Sequence, residues 1–363
     1  MSHELSQSFS RRSFLKGIAI GGAATALGLP VTAYGAAGQA KQKRTPRTDN
    51  LEVYMPTWLT PDEYGKIQDF KLQNVSRFIL AFALPESDGS IALPAINSDL
   101  RNLLAANRSH TKVGLAVGGW GDSNAQHAAN LQGWRAAINN PKMFVKSTNK
   151  AVEQLGIDEL DIDIEFPTAD QAGRPLTEFT QQLREGLPTD VRIAMAVSSN
   201  LISNPTIANY QFGKNGLDVD ELHVMTYDEN GGLGHQPAGY VASGPWTIGC
   251  IDQWVARVGD PSKIRVGYPT YGYEYTGVTE VGETYKTSSE VLYPQAPTSA
   301  INNNYRNLTT AGKVGEDGWA SFMSPSIIQA TQERILETYP DIGGAFLWSA
   351  EGLIQAHLNA LAQ

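Results

Sequence analysis

Downstream of residue 50, short apolar segments rich in β-branched residues alternate with segments of helical periodicity. Eight of the apolar segments have the length and composition of buried strands. These are Leu51–Met55, Arg77–Ala83, Val113–Gly118, Leu160–Phe166, Arg192–Val197, Leu222–Tyr227, Ile264–Tyr268 and Gly344–Trp348. The helical segments are Pro61–Phe70, Asp99–Asn107, Pro141–Leu155, Thr177–Leu187, Thr206–Phe212, Ile251–Val258 and Pro325–Tyr339. The alternation predicts an α/β fold.

Two α/β architectures are compatible with this alternation, a (β/α)8 TIM barrel and a doubly wound open sheet. The count of eight strands favours the barrel. One connection is longer than a barrel loop requires, because the chain from Tyr273 to Ser324 is rich in Tyr, Thr, Asn and Gly and contains β-like pieces. We therefore predict one barrel domain over residues 51–363, in which residues 274–323 form a small insertion between strand 7 and the last helix.

The beginning of the chain has the features of an export signal. A pair of arginines within Ser10–Lys16 precedes an apolar run from Gly17 to Leu29, and small residues follow at 33–37. This arrangement resembles the twin-arginine signals of bacteria, whose passengers cross the membrane folded. The apolar run is shorter than the ~20 residues that a membrane span needs, so no stable membrane insertion is expected. We predict a signal over residues 1–37, a linker over 38–50, recognition by the twin-arginine export machinery, and a periplasmic or secreted protein.

Composition narrows the classes of function. The formal net charge is −9 and no basic stripe is present, which argues against a nucleic-acid-binding protein. The lone cysteine, Cys250, excludes an intramolecular disulfide and a cysteine metal cluster. An acidic chain of this kind is compatible with a neutral substrate. We expect a monomer that uses no metal and no cofactor.

The segment from Gly156 to Pro167 carries the strongest chemical signal. Side chains alternate between the two faces of a strand, so Asp161, Asp163 and Glu165 share one face. The opposite face is apolar and consists of Leu160, Ile162, Ile164 and Phe166. In a barrel the apolar face meets the outer helices, and the three carboxyls point inward in a row that ends at the carboxyl-terminal rim. We call these three residues the carboxylate row.

A solvated acidic face and a metal site are the alternatives to a catalytic role for the carboxylate row. A solvated acidic face would suit an antiparallel strand, but the strands of a parallel α/β sheet are normally covered on both faces. A calcium or magnesium site usually draws its ligands from loops or from several elements rather than from one strand. Crowded carboxyls cannot all ionise easily, so at least one pKa in the row is expected to rise, and Glu165 can then remain protonated as a general acid.

The spacing Asp158-x-x-Asp161-x-Asp163-x-Glu165 resembles the DxxDxDxE signature of family 18 glycoside hydrolases. Further segments are similar to those of the family in the same order, at Lys112–Trp120, Met225–Asp228, Gly267–Gly272 and Gly343–Ser349. All of them end at the carboxyl termini of predicted strands, which form the catalytic face of such barrels. The resemblance covers nearly all of residues 51–352. It implies a retaining endo-glycosidase that cleaves β-1,4 linkages beside N-acetylglucosamine, in chitin or chito-oligosaccharides.

The resemblance also implies roles for individual residues. Glu165 would protonate the leaving oxygen while the substrate's own 2-acetamido oxygen attacks the anomeric carbon. Asp163 would orient the acetamido N–H and share a proton with Asp161, and Tyr227 would hydrogen-bond the acetamido oxygen. The expected substrate-binding residues are Asp158, Asp228, Met225, Trp348, Trp120, Tyr54 and Tyr271. For Trp120, Tyr54 and Tyr271, packing in the core stays an open alternative to contact with substrate.

Four positions depart from the family pattern, which more often has serine, glycine, an aromatic residue and arginine there. The residues are Ala116, Glu159, Ile164 and Tyr273, respectively. None of these departures removes the acid. They leave three properties undetermined: which polymer is cleaved, the shape of the sugar-binding subsites, and whether cleavage is internal (endo) or from chain ends (exo). The same chemistry on peptidoglycan or on an N-glycan core stays an alternative. A non-catalytic, lectin-like chitin-binding barrel is a third, although such members typically lack the acid that this chain has as Glu165.

Overall fold

The computed structural model describes residues 51–121, 123–199, 206, 209–213, 215–230 and 236–362. The predicted signal over 1–37 and the linker over 38–50 lie outside these residues. In chain order, the strands are β1 (Leu51–Pro56), β2 (Arg77–Pro85), β3 (Ile91–Ala92), β4 (Lys112–Gly118), β5 (Glu159–Asp163), β6 (Arg192–Ser198), β7 (Glu221–Met225), β8 (Ile264–Pro269), β9 (Tyr271–Thr276), β10 (Thr287–Leu292), β11 (Asn303–Asn304), β12 (Thr309–Val314), β13 (Gly318–Phe322) and β14 (Gly344–Trp348). The α-helices are α1 (Pro61–Gln68), α2 (Ser98–Asn107), α3 (Asn124–Asn139), α4 (Pro141–Leu155), α5 (Arg174–Gly186), α6 (Gly244–Val258), α7 (Pro325–Thr338) and α8 (Gln355–Leu361).

Eight of these strands close into a parallel barrel in the order β1, β2, β4, β5, β6, β7, β8, β14 and back to β1. The closure is direct, because Val53 on β1 is in register with Phe78 on β2 and with Leu347 on β14. Each predicted strand segment overlaps one barrel strand. The predicted (β/α)8 TIM barrel is therefore confirmed.

The long connection between β8 and α7 folds as a second sheet. Strands β10, β9, β13, β12 and β11 pair antiparallel in that order. The sheet begins at Tyr271, which pairs with Leu292, and it ends at Phe322, shortly before Ser324 caps α7. This insertion sheet lies between the seventh barrel strand and the last connecting helix, as predicted. It begins before residue 274 because β9 follows β8 almost without interruption.

Most predicted helices are present, and the capping signals explain their starts. The Thr60 side chain accepts from the Glu63 amide, and the Glu63 carboxylate accepts from the Thr60 amide, which forms a capping box at α1. Helices α5 and α6 begin earlier than predicted, each with a proline in the first turn. Helices α3 and α8 were not predicted. Helix α3 buries residues such as Asn130 and Gly133, so its sequence lacks a clear apolar period. The predicted helix at Thr206–Phe212 includes residues outside the described part of the chain, and no α-helix is described there.

Aromatic side chains join α3, α4 and α5 on the outside of the barrel. The ring centroid of Phe144 lies 5.5 Å from that of Trp134 and 5.2 Å from that of Phe179, and all three side chains are buried. They belong to the same core as Leu160 and Ile162, the outward-facing residues of β5. The helices therefore cover the apolar face of the strand that carries the carboxylate row. None of the helices in the described ranges is long and apolar enough to cross a membrane.

Gly133 brings α3 into direct contact with β2. A Cβ atom at this position would lie 2.0 Å from the carbonyl oxygen of Pro85. A Cβ atom at Gly249, which is also helical, would meet nothing within 4 Å. The two glycines are therefore a matched pair that separates close packing from helix propensity.

We expect Gly133→Ala to lower the free energy of unfolding by about 1–3 kcal/mol, because α3 must move away from β2. Gly249→Ala should instead raise it by about 0.5–1 kcal/mol, because alanine favours the helix over glycine. Urea denaturation followed by circular dichroism measures both changes. Equal effects of the two substitutions would contradict the close packing of α3 on β2.

Candidate active site

The carboxylate row runs up β5 to the mouth of the barrel. The strand ends at Asp163, earlier than the predicted end at Phe166, so Glu165 lies in the loop just beyond it. Asp161 is fully buried, Asp163 is 4% exposed and Glu165 is partly exposed. Exposure thus increases toward the mouth, and Glu165 is the most accessible carboxyl of the row.

Two glycines allow β4 to approach the carboxylate row closely. Gly118 is in register with Asp163, and the Gly119 amide donates to the Asp163 carbonyl oxygen at 3.0 Å. Gly118 has a φ of 111°, and a Cβ atom there would lie 2.1 Å from the same carbonyl oxygen. A side chain at position 118 would therefore push β4 away from the row.

Groups from β1 and β7 hold Asp161. The Tyr54 hydroxyl donates to Asp161 Oδ2 at 2.6 Å. The same hydroxyl oxygen lies 2.8 Å from His223 Nδ1, which is 3.6 Å from Asp161 Oδ1. Burial, together with the adjacent Asp161 carboxylate, raises the pKa of Tyr54 well above its usual range, so the hydroxyl keeps its proton. Tyr54 was predicted to contact substrate, but it is buried and bonds the innermost carboxylate instead.

Aromatic rings lie beside the row at the barrel mouth. Trp348 ends β14, and its ring centroid is 5.3 Å from Tyr54 and 5.6 Å from Phe82. Phe82 stacks on Trp348 with an interplanar angle of 29° and also stacks with Trp58 at 6.3 Å. Trp348 therefore forms part of an aromatic wall whose orientation is set by its neighbours.

The segment that follows β7 adds polar groups to the same rim. Met225 ends the strand, and Tyr227 follows with its ring centroid 6.3 Å from that of Tyr271. Asp228 has a φ of 60°, and its Oδ1 accepts from the hydroxyls of Tyr271 and Tyr273 at 2.5 Å each. Strand β9 of the insertion sheet thus holds Asp228 beside Tyr227.

Trp120 lies on this rim as well. It follows Gly119 and is partly exposed, and its ring lies 6.5 Å from Phe166, the residue after Glu165. The ring also stacks on His127 at 3.9 Å. Burial lowers the pKa of His127, so the stacked pair is uncharged near neutral pH.

Asp158 does not lie with the other candidates. It precedes β5, at the amino end of the barrel, where its Oδ2 accepts from Arg108 at 2.6 Å and from the Val113 amide at 2.9 Å. The carboxylate row ends at the opposite rim, where barrel enzymes carry their active sites. The substrate-binding role predicted for Asp158 is therefore corrected, because its carboxylate ties together the beginnings of β4 and β5.

Below the carboxylate row the barrel interior is charged. Glu52 on β1, Glu159 on β5 and Glu221 on β7 are all buried. Arg265 Nε lies 2.6 Å from Glu221 Oε2. Arg77 Nη1 donates to Glu52 and lies 3.1 Å from Glu159 Oε2. We call these five residues the interior charge cluster.

Burial and charge act differently on the acids of this cluster. Burial, together with the nearby Glu52 carboxylate, raises the pKa of Glu159 well above its usual range and favours its neutral form. Although burial opposes ionisation of Glu221 too, the Arg265 guanidinium holds the pKa of Glu221 well below its usual range. The acid that bonds a guanidinium closely is thus charged, and the more weakly paired acid is neutral.

The three acids of the interior charge cluster, together with His223, have the composition of a metal site. Ligand atoms that lie within 4.8 Å of one another come from Glu52, Glu159, Glu221 and His223. However, Arg77 and Arg265 already place positive charge against the same oxygens. These groups fit a network of ion pairs better than they fit a divalent cation.

Sequence reasoning missed His223 and Phe82. The signal for His223 was present, because Glu221 and His223 alternate with Leu222 and Val224 along β7 in the manner of the carboxylate row. Phe82 gave no comparable signal, since a phenylalanine in an apolar strand is indistinguishable from a core residue.

The barrel carries a row of acids whose exposure increases toward its carboxyl-terminal rim, and tyrosine hydroxyls and an aromatic wall lie at the same rim. These features define the class of (β/α)8-barrel enzymes that use acid–base chemistry. Residues 50–352 match the family model of the glycosyl hydrolases family 18, and the chain belongs to this family. Residues 8–28 match the signal sequence of the twin-arginine translocation pathway. The predicted twin-arginine export to the periplasm or the medium is thereby confirmed.

Among curated proteins, the chain is 23% identical over 332 residues to probable chitinase 10 of Drosophila melanogaster. This alignment covers 78% of this chain and 14% of that protein. The chain is also 25% identical over 284 residues to chitotriosidase-1 of Mus musculus, which covers 68% of this chain and 60% of that protein. The chain thus spans less than two thirds of the length of these curated relatives.

Solved structures share the fold. The group IV chitinase of Ostrinia furnacalis in complex with allosamidin has a TM-score of 0.69 at 17% identity, covering 86% of this chain and 97% of that chain. The spore cortex-lytic enzyme SleL of Bacillus cereus also has a TM-score of 0.69, at 13% identity, covering 88% of this chain and 75% of that chain. At these identities the likeness shows the barrel fold.

We expect Asp158→Ala to affect stability and not catalysis. The Val113 amide loses its acceptor, and the half-exposed pair with Arg108 contributes little, so the free energy of unfolding should fall by about 1–2 kcal/mol. The rate of glycosidic cleavage should stay within about twofold of wild type, because the residue lies at the amino-terminal face. Asp163→Ala serves as the comparison. A folded Asp158→Ala protein as inactive as Asp163→Ala would restore the binding role.

Proposed function

We propose that the protein is a retaining endo-glycosidase that hydrolyses β-1,4 linkages beside N-acetylglucosamine, with chitin or chito-oligosaccharides as its substrate. The observation that carries the proposal is the carboxylate row, whose exposure rises from Asp161 to Glu165 beside Tyr227 and Trp348. Membership of family 18 supports glycosidic chemistry. The matched relatives described above are named as chitinases or as a chitotriosidase, which supports the choice of polymer.

In the first step, Glu165 donates its proton to the glycosidic oxygen as the bond from that oxygen to C1 breaks. The carbonyl oxygen of the sugar's own 2-acetamido group attacks C1 and forms a cyclic oxazolinium ion. Asp163 accepts a hydrogen bond from the acetamido N–H and stabilises the positive charge that develops. The Tyr227 hydroxyl donates to the acetamido oxygen and fixes its direction of attack.

In the second step, a water molecule attacks C1 while Glu165, now a carboxylate, takes the proton of that water. The bond between C1 and the acetamido oxygen breaks, and the acetamido group is restored. Each step inverts the configuration at C1, so the product keeps the β configuration of the substrate. Glu165 ends the cycle protonated, as it began.

The nucleophile is assigned to the substrate because the acids of the row approach a sugar from one side. Successive members lie two residues apart, about 6.6 Å along a strand at ~3.3 Å per residue. A further carboxylate at this rim, Asp228, is bonded to the hydroxyls of Tyr271 and Tyr273. An enzyme that forms a covalent sugar ester needs an acid and a nucleophile on opposite sides of the bond.

Product analysis tests the proposal. The protein, in the form that is exported, is incubated with chitin oligomers, peptidoglycan and a glycoprotein, and the products are identified by mass spectrometry. Internal cleavage of chitin oligomers is expected. Release of units from chain ends alone would refute endo action. Products from peptidoglycan or the glycoprotein alone would show that the substrate is that polymer and not chitin. Peptidoglycan is included because the chain shares its fold with the spore cortex-lytic enzyme. Binding without products would indicate a lectin-like barrel.

We expect Glu165→Gln to abolish most turnover without unfolding the protein. Glutamine is nearly isosteric with glutamate but has no proton to give, and loss of general acid catalysis typically lowers a rate by about 10²–10⁴. Steady-state kinetics and the thermal midpoint measure the two properties. Glu185→Gln on the exposed side of α5 is the matched control and should change neither. Wild-type activity in Glu165→Gln would show that the acid is misassigned.

The substrate-assisted mechanism makes a separate prediction about the acetamido group. Cellulose oligomers, which lack it, should not be cut, and a thiazoline that mimics the oxazolinium ion should inhibit. Proton NMR of fresh products should show the β anomer first. A trapped ester between a sugar and an aspartate, or products that first appear in the α form, would overturn the mechanism even if Glu165 proved essential.

A further inference from the structure

His223 lies beneath the carboxylate row, on the inward face of β7. Its imidazole is fully buried. On one side, Nδ1 is 2.8 Å from the Tyr54 hydroxyl oxygen and 3.6 Å from Asp161 Oδ1. On the other side, Nε2 is 3.2 Å from Glu52 Oε2 and 3.6 Å from Glu221 Oε1. The ring therefore connects the row above it with the interior charge cluster below it.

The contacts of the ring indicate its protonation state. Tyr54 has a single hydroxyl proton, and it donates that proton to Asp161 Oδ2 at 2.6 Å. The Tyr54 oxygen can then only accept from His223, so Nδ1 carries a proton. Nε2 lies at ion-pair distance from the carboxylates of Glu52 and Glu221, and these two negative charges favour a proton on this nitrogen as well. A ring that is protonated on both nitrogens is an imidazolium cation.

The surrounding charges favour this cation. Although burial opposes it, the carboxylate of Asp161 together with those of Glu221 and Glu52 raises the pKa of His223 well above its usual range. The titratable and charged groups around the ring are Glu52 and Tyr54 on β1, Arg77 on β2, Glu159 and Asp161 on β5, Arg192 on β6, Glu221 on β7 and Arg265 on β8. From β14 the ring meets only the uncharged Phe346, at 5.3 Å.

These groups balance when the imidazole is charged and Glu159 is neutral. The buried negative groups are then Glu52, Asp161 and Glu221, and the buried positive groups are Arg77, Arg265 and His223. Arg192 reaches the same acids, but its side chain is 36% exposed and can be solvated. With a neutral imidazole, three buried carboxylates would face two buried guanidiniums, and the partly exposed Arg192, 2.8 Å from Glu221, would have to supply the third positive charge.

We propose that His223 is a positioning residue of the glycosidase, a buried cation that lies beside Asp161 and holds its side chain in place. The proposal rests on the proposed function, since it concerns the same carboxylate row. A cation at this place also favours the charged forms of carboxyl groups that lie within about 4–6 Å of it. His223 does not touch the sugar and acts through Asp161.

The pH dependence of the reaction tests the proposal with His223→Asn. This change removes the cation, and an opposite charge within about 4–6 Å moves the titration of a carboxyl group downward by about 1–3 pH units. The acid limb of kcat/KM should therefore move to higher pH by about 1 unit or more. The value of kcat should fall, whereas KM should stay within about threefold because no sugar contact is lost.

His357→Asn is the matched control. His357 is also fully buried, in α8, with its ring 4.8 Å from that of Tyr293. Burial lowers the pKa of His357 to about 3, so its substitution removes a buried ring without removing a charge. The acid limb should stay in place in this variant. An acid limb that moves in neither variant, or equally in both, overturns the proposal.

A second measurement needs neither a variant nor a substrate. In wild-type protein labelled with 15N-histidine, NMR distinguishes an imidazolium from a neutral ring by the shifts of the two ring nitrogens. We expect one histidine to remain doubly protonated at pH 8, above the ordinary histidine pKa of ~6.5. If all histidines are neutral at pH 8, the proposal fails. This result stands even if His223→Asn does not fold, and the product analysis tests the glycosidase assignment separately.

Discussion

Negative charge buried inside a parallel barrel is the constraint on which the rest of this structure depends. An isolated carboxylate in such an interior would cost several kcal/mol, so each one must meet a positive charge or keep its proton. Arg77 and Arg265 meet this requirement for the lower part of the barrel, within hydrogen-bond reach of Glu52 and Glu221. Removing one partner from a buried pair strands the other, so the interior charge cluster must be understood as a unit.

The guanidinium groups pair with the buried acids of the interior charge cluster and lie away from the acid proposed to act in catalysis. A general acid has to hold its proton near the working pH, and a guanidinium beside it would favour the ionised form instead. Both buried arginines lie at the level of Glu52 and Glu221, below Asp161. Asp161 is bonded by the neutral hydroxyl of Tyr54, and Glu165 stands at the partly exposed mouth. Close ion pairs therefore compensate the charges buried in the lower part of the barrel without fixing the charge of the outermost acid.

Period-two alternation located much of this arrangement in the sequence, because the face of a strand on which a residue lies is a local property. The ends and partners of strands are not local. Asp158 shares a motif with the carboxylate row, yet it precedes β5 and lies at the other rim. Tyr54 was expected to bind substrate, but it bonds Asp161, and its other partner, His223, is 169 residues away in the chain. Helix α3 escaped prediction because its packing depends on Gly133 and other small or polar residues rather than on an apolar stripe.

The structure shows what the alanine at position 116, where family 18 more often has serine, means for the support of Asp161. Ala116 on β4 is in register with Asp161 on β5, and its methyl group has no hydrogen bond to offer. The polar contacts of Asp161 described above come instead from Tyr54 and His223, across the barrel. A hydroxyl on β4 would have supplied a neutral donor from a neighbouring strand and nothing more. Support through His223 has a different consequence, because the other side of that ring faces Glu52. In the proposed mechanism, the imidazole of His223 thereby connects the interior charge cluster to the carboxylate row.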